Sequence, residues 1–166
     1  GSFALNAGQA GAASVLGLDA SELGVEQAKK NAALNGLSDI VDFECADVFE
    51  KLPQMEAAGE KFDVIILDPP AFTKSRNSVK NAVKGYREIN LRAMKLIRDG
   101  GYLATCSCSH FMTYELFTKT IGQAANVHKR LRQVSFATQA PDHPILWAAD
   151  TSYYLKFYIF QVCDEK

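Results

Sequence analysis

Short apolar runs alternate with longer amphipathic stretches along this chain. Ser14–Leu18 (SVLGL), Val41–Cys45 (VDFEC), Phe62–Asp68 (FDVIILD) and Tyr102–Cys106 (YLATC) are too short for free-standing helices, and their apolar residues favour strands. Between and after them, Ser2–Gln9, Ser21–Asn35, Val48–Ala58, the second half of Thr73–Arg98 and Thr113–Ala125 carry helical spacing. Ser2 and Ser21 stand where N-caps belong, and Asn35-Gly36 and Gly100-Gly101 where helices stop. Val25, Ala28, Ala32 and Leu34 are expected on the inward face of the second helix. Two further strands, Arg130–Ala137 and Tyr153–Val162, have no helix between them and should pair as an antiparallel hairpin. Strands alternating with helices predict an α/β domain whose sheet is mostly parallel, with that hairpin at its C-terminal end.

The run Val64–Leu67 is the most apolar of these strands and is expected to be buried on both faces. Asp68 closes it, and Pro69 and Pro70 cannot donate to a pairing ladder, so the strand must end there. Four strands thus finish at polar groups: Asp19, Asp47, Asp68 and Cys108. In a parallel sheet such groups gather at the carboxyl edge, where open α/β sheets bind ligands. A carboxylate at Asp19 can accept both hydroxyls of a ribose, and Asp47 can accept from an adenine amino group. Both can equally cap the helices that follow them.

Composition narrows the classes. The chain has 166 residues, 48% hydrophobic content and a net charge of −1, which suits one globular domain. No apolar run approaches the roughly 18 residues of a membrane span, and no membrane partner is expected. Four cysteines without regular spacing argue against a disulfide framework and for a reduced, cytoplasmic protein. Cys106-Ser107-Cys108 offers two thiol ligands and no second pair completes a zinc site.

Charge is uneven. Thr73–Arg98 holds Lys74, Arg76, Lys80, Lys84, Arg87, Arg92, Lys95 and Arg98 against the single acid Glu88. Directly after Asp68-Pro69-Pro70, this segment can grip phosphates, with Phe72 and Tyr86 near enough to stack on bases. Of the sulfurs, Cys106 still lies in its strand and reads as packing. Cys108 lies just beyond, among Ser107, Ser109 and His110, where a thiol can act as a nucleophile.

Six motifs together resemble a known family: GSFALNA (Gly1–Ala7), LDAS (Leu18–Ser21), KKNAALNG (Lys29–Gly36), ECADVF (Glu44–Phe49), DPPAFTKS (Asp68–Ser75) and TCSCSH (Thr105–His110). They resemble the catalytic domain of class I S-adenosylmethionine-dependent RNA methyltransferases, in particular the large-subunit ribosomal RNA cytosine-C5 enzymes of the RlmI type. The resemblance implies a Rossmann-like sheet and one catalytic domain over residues 1–166. It implies that S-adenosylmethionine is held by Gly1, Ser2, Phe3, Asp19, Ala20, Ala46, Asp47 and Asp68. Asp68, Pro69, Pro70, Phe72, Lys74 and Arg76 would line the substrate side, and Cys108 and Asp68 would be catalytic. The expected partner is ribosomal RNA, and a homodimer is compatible. The family's first strand precedes GSFALNA, so a domain truncated at its N-terminus is expected, binding cofactor weakly by itself. Three other readings share the fold: a guanine-N7 methyltransferase, a non-catalytic RNA-binding module and a dinucleotide-dependent oxidoreductase. None of the three gives Cys108 a role.

Overall fold

The computed structural model describes residues 1–73, 75–125 and 129–165, with the side chains of Arg76 and Asp150 excepted. The chain divides into two compact units, Gly1–Gln54 and Met55–Lys166.

The first unit contains α1 (Ser2–Gln9), β1 (Val15–Asp19), α2 (Glu22–Leu34), β2 (Val41–Cys45) and most of α3 (Val48–Ala57). β1 and β2 pair in parallel, from Val15 opposite Val41 to Asp19 opposite Cys45. The Ser21 hydroxyl caps α2 by accepting the Gly24 N–H at 3.1 Å. Ser2, in contrast, is the first helical residue of α1, whose cap is Gly1 without a side-chain bond. Val25, Ala28 and Ala32 pack with Leu37, Val41 and Phe43 as the core of this unit. Leu34 departs from expectation and is 83% exposed. Two residues beyond Ala32, it is turned by about 200° to the opposite face of the helix.

The second unit contains β3 (Phe62–Leu67), α4 (Val79–Leu96), β4 (Ile97–Ser107), α5 (Tyr114–Ala125), β5 (Lys129–Ala137) and β6 (Lys156–Asp164). Its sheet has the order β3-β4-β6-β5. β3 and β4 are parallel, while β6 runs antiparallel to both β4 and β5. The expected hairpin is therefore present and is joined to the parallel pair through β6. Tyr86, Met94 and Leu96 of α4, Leu103 of β4, Phe117 of α5 and Tyr158 and Val162 of β6 are fully buried.

Two expectations fail in this unit. β3 is not buried on both faces: Val64 and Ile66 are 55% and 38% exposed. In its own sheet β3 is an edge strand, and these alternate residues lie on a face that the unit leaves uncovered. Nor do Gly100 and Gly101 stop a helix. α4 ends at Leu96, and β4 begins at once at Ile97 with both glycines inside it. The parallel register jumps here, from Phe62 opposite Ile97 to Val64 opposite Tyr102. The extra residues of β4 bulge, and Gly100, at φ 82°, supplies the left-handed conformation the bulge requires. Among the described residues, no helix is long and apolar enough to cross a membrane.

Candidate functional site

The parallel register of β3 and β4 runs to Leu67 opposite Thr105. Asp68 and the end of β4, with Cys106 and Ser107 in the strand and Cys108 and Ser109 just beyond it, therefore lie at the same end of the sheet. The exposed Asp68 carboxylate accepts the Cys106 thiol, Sγ to Oδ1 at 3.0 Å. Burial, and then this carboxylate, push the Cys106 thiol far above the ordinary range. Cys106 is thus held as a neutral thiol, a more specific state than the packing role its strand position suggests. Cys108 is half-buried, and among the described residues its sulfur has no hydrogen-bond partner.

The two serines around Cys108 are anchored. Ser107, fully buried, donates its hydroxyl to the Tyr86 hydroxyl at 3.0 Å. Ser109 donates its hydroxyl to the Thr73 carbonyl at 2.8 Å and its N–H to Ser107 Oγ at 3.3 Å. Thr73 Oγ1 in turn donates to the Ser75 carbonyl at 2.6 Å. The chain after Pro69 and Pro70 is thereby tied to the segment that carries Cys108. With a hydrogen-bonded residue on each side, the Cys108 backbone has little freedom to move.

Tyr86 is the hub of this arrangement. It is fully buried, its ring lies 4.7 Å from that of Phe72 and 5.4 Å from that of Phe117, and burial pushes its phenol up. A role in stacking on bases is excluded by that burial. Phe72 remains half-buried, Pro69 is half-buried and Pro70 exposed. Lys74 lies outside the described residues, as does the Arg76 side chain; the Arg76 backbone opens a short 3-10 turn before α4. Lys80 and Lys84 are exposed on the first turns of α4. Beyond Arg87, which is exposed, the cations of the basic segment are engaged. Arg92 pairs with Glu56 and Glu88, Lys95 with Glu56, and Arg98 with Asp63.

In the first unit the ends of β1 and β2 bring a second set together. The Ala46 N–H donates to the Asp19 carbonyl at 3.0 Å, and Cys45 Sγ reaches the Ala20 carbonyl at 3.6 Å. Asp19 Oδ1 accepts the Ser21 N–H at 2.8 Å, and Asp47 Oδ1 accepts the Phe49 N–H at 2.8 Å. Both acids therefore do serve the turns that follow them. Each is exposed, and each uses one oxygen in these bonds, so the other can accept from a ligand. Such a set of acceptors fits the hydroxyls of a ribose and the amino group of an adenine. Gly1, Ser2 and Phe3 are exposed at the start of α1. A Cβ on Gly1 would lie 2.8 Å from the Phe43 ring, so the chain start also packs closely on β2.

One residue of the second unit escaped the sequence reading. Lys156 stands opposite Ser107 in the antiparallel β4–β6 pair and is 1% exposed. Its ammonium donates to the carbonyls of Ser109 at 2.6 Å and Tyr154 at 2.8 Å. Burial lowers it to about 8, while the fields of Cys108 and Cys106 act in the opposite direction. The available signal was a lone lysine inside the otherwise apolar run YYLKFYIF.

A family model described as a methyltransferase domain matches residues 1–157. The ribosomal RNA large subunit methyltransferase I of Shewanella denitrificans is 44% identical over 98% of this chain and 41% of its own length. The protein of the same name from Pseudoalteromonas atlantica is 42% identical over the same shares. The chain thus spans about two-fifths of the length of these curated relatives. The crystal structure of SMU.776 complexed with SAH superposes with a TM-score of 0.84 at 20% identity, over 96% of this chain and 42% of that one. At such identity the likeness establishes the fold: a Rossmann-like methyltransferase architecture.

Proposed function

The chain belongs to the methyltransferase domain family, and from that premise we propose that in the intact protein it transfers a methyl group from S-adenosylmethionine to C5 of a cytosine in large-subunit ribosomal RNA. The relatives named as ribosomal RNA large subunit methyltransferase I support the substrate class. The observation that carries the chemistry is the unequal state of the two sulfurs. Cys106 is held as a thiol by burial and by Asp68, whereas Cys108 has no such acceptor among the described residues.

Cytosine C5 is a poor nucleophile, and the proposed roles answer that difficulty. The Cys108 sulfur adds to C6, which turns C5 into an enamine-like carbon. When bound, S-adenosylmethionine supplies an electrophilic methyl group. Once C5 carries that methyl, a base takes the C5 proton, and the electron pair left behind forms the C5–C6 double bond and expels the Cys108 sulfur, which restores the aromatic ring. Asp68, exposed at the end of β3, holds the N3/N4 edge of the base and favours protonation at N3 during attack. Pro69, Pro70 and Phe72 border that edge, and Lys74 and Arg76 meet phosphates. A base inside a helix is out of reach of such a site, so the substrate must be unstacked or single-stranded. In the first unit, Asp19 with Ala20 takes the ribose, Ala46 with Asp47 takes the adenine, and Gly1–Phe3 border the remainder of the cofactor. On this reading ribosomal RNA is the partner and the cytoplasm is the site of action.

The test uses the full-length protein with ribosomal RNA containing 5-fluorocytosine, whose fluorine cannot leave as a proton does, so the covalent adduct accumulates. A denaturant-resistant protein–RNA band is expected in the parent and in Cys106→Ala and is expected to vanish in Cys108→Ala. Persistence of the band in folded Cys108→Ala would remove the nucleophile from this reading.

A further inference from the structure

Lys156 presents a physical problem that the proposed chemistry does not yet use. A buried ammonium costs several kcal/mol unless it is paired, and a charge of this kind ordinarily sits beside a carboxylate. None lies within ion-pair distance of Lys156 among the described residues. Its two observed acceptors are neutral carbonyls, those of Ser109 and Tyr154. An ammonium has three N–H donors, so one is unassigned. The groups whose charge acts on it are Cys108 first and then Cys106. Cys106 is already committed as a thiol to Asp68.

We propose that Lys156 is the positioning residue for Cys108: its ammonium fixes the Ser107–Ser109 segment from the β6 side and serves as the counter-charge of the anionic sulfur. The inference rests on the reading of Cys108 as the nucleophile. Two independent geometric facts support it. The β4–β6 register sets Lys156 directly across from Ser107, and the side chain reaches past that residue to the carbonyl of Ser109. The cation is thereby bonded to the backbone immediately beyond Cys108. It also lines a cleft of about 530 Å³ together with His110, Thr113, Tyr114, Glu115 and Tyr153. The opposing charges are Asp68, which already accepts the Cys106 thiol, and Glu115 on the cleft. Both are exposed, so solvent screens them more than it screens Lys156.

A positive charge facing a sulfur favours its anionic form and draws anionic reagents. Iodoacetate and iodoacetamide have nearly the same shape and differ in charge, so their rate ratio cancels both access and the fraction of thiolate. The exposed Cys45 is an internal reference in the same molecule. With alkylation located by tandem mass spectrometry at pH 7, the iodoacetate-to-iodoacetamide ratio at Cys108 is expected to exceed that at Cys45 by roughly three- to tenfold. Lys156→Met should bring it to the Cys45 level, and Lys156→Arg, which keeps the charge, should retain most of it. A ratio in the parent protein no higher at Cys108 than at Cys45 would overturn the proposal without any variant. So would an unchanged ratio in folded Lys156→Met. Because no RNA is involved, the outcome separates from that of the adduct experiment. A shifted ratio with no adduct removes the nucleophile and keeps the lysine's action on the sulfur. An adduct with an unshifted ratio does the reverse.

Discussion

Removing the Tyr86 hydroxyl should cost more than a single oxygen suggests. Tyr86→Phe leaves the ring packing against Phe72 and Phe117 intact. It deletes the acceptor of the Ser107 hydroxyl, 3.0 Å away, and of a backbone hydrogen bond from Phe72. Tyr86 and Ser107 are both 0% exposed, so no water replaces what is lost. A buried donor left without a partner costs about 1–3 kcal/mol. The expected destabilisation is therefore about 2 kcal/mol, which lowers Tm by roughly 4–8 °C for a chain of this size. Ser107→Ala removes the other end of the same bond, and the double variant removes both. A double-mutant cycle in urea should then return a coupling of about 1 kcal/mol, well above the ~0.3–0.5 kcal/mol scatter of independent sites. Tyr86→Phe should also free the strand end, so Cys108 should alkylate with iodoacetamide faster than in the parent. Additive single variants, or a parent-like Tm in Tyr86→Phe, would show that this hydroxyl does not hold the Cys108 segment.

Two further predictions concern the framework. Gly17→Ala would set a Cβ 2.5 Å from the Phe43 ring, in a core where Phe43 is itself buried. Overpacking of this kind costs about 1–3 kcal/mol, and hydrogen exchange of the β1 and β2 amides should quicken; unchanged protection would mean that the ring yields at little cost. The second concerns pH. Burial lowers Lys156 to about 8 from 10.5, so between those values the unfolded chain holds a proton that the folded chain has released. Stability then rises with pH, by about 1 kcal/mol from pH 8 to pH 9 for this group. Burial raises the Cys106 thiol from 9.0, and the Tyr158 phenol from 10.0 to about 12, so their contributions are lost as pH climbs beyond those ordinary values. Urea midpoints should rise from pH 8 to roughly pH 9 and fall above pH 10; a flat or falling midpoint over the first interval contradicts the buried charge on Lys156.

How much of this was legible in the sequence depends on the range of the interactions involved. Ser21 and Gly24 are three residues apart, and the cap they form could be read directly from the chain. So could the ends of β1, β2 and β3, because proline chemistry and polar closure act within a few residues. The start of β4 could not. Gly100-Gly101 has the same local appearance as a helix stop, and only the pairing with β3, some 35 residues earlier, shows it to be a bulge. The candidate site divides in the same way. Two thiols separated by one serine look nearly alike in sequence, apart from the strand boundary between them. Asp68 reaches Cys106 across the parallel pair, and Lys156 comes to the Cys108 segment from a strand almost 50 residues later. Long-range pairing thus makes one sulfur a fixed thiol and ties the backbone just beyond the other to a buried cation. That argues for reading reactive cysteines from the charges their neighbouring strands bring to them rather than from the residues beside them in the chain.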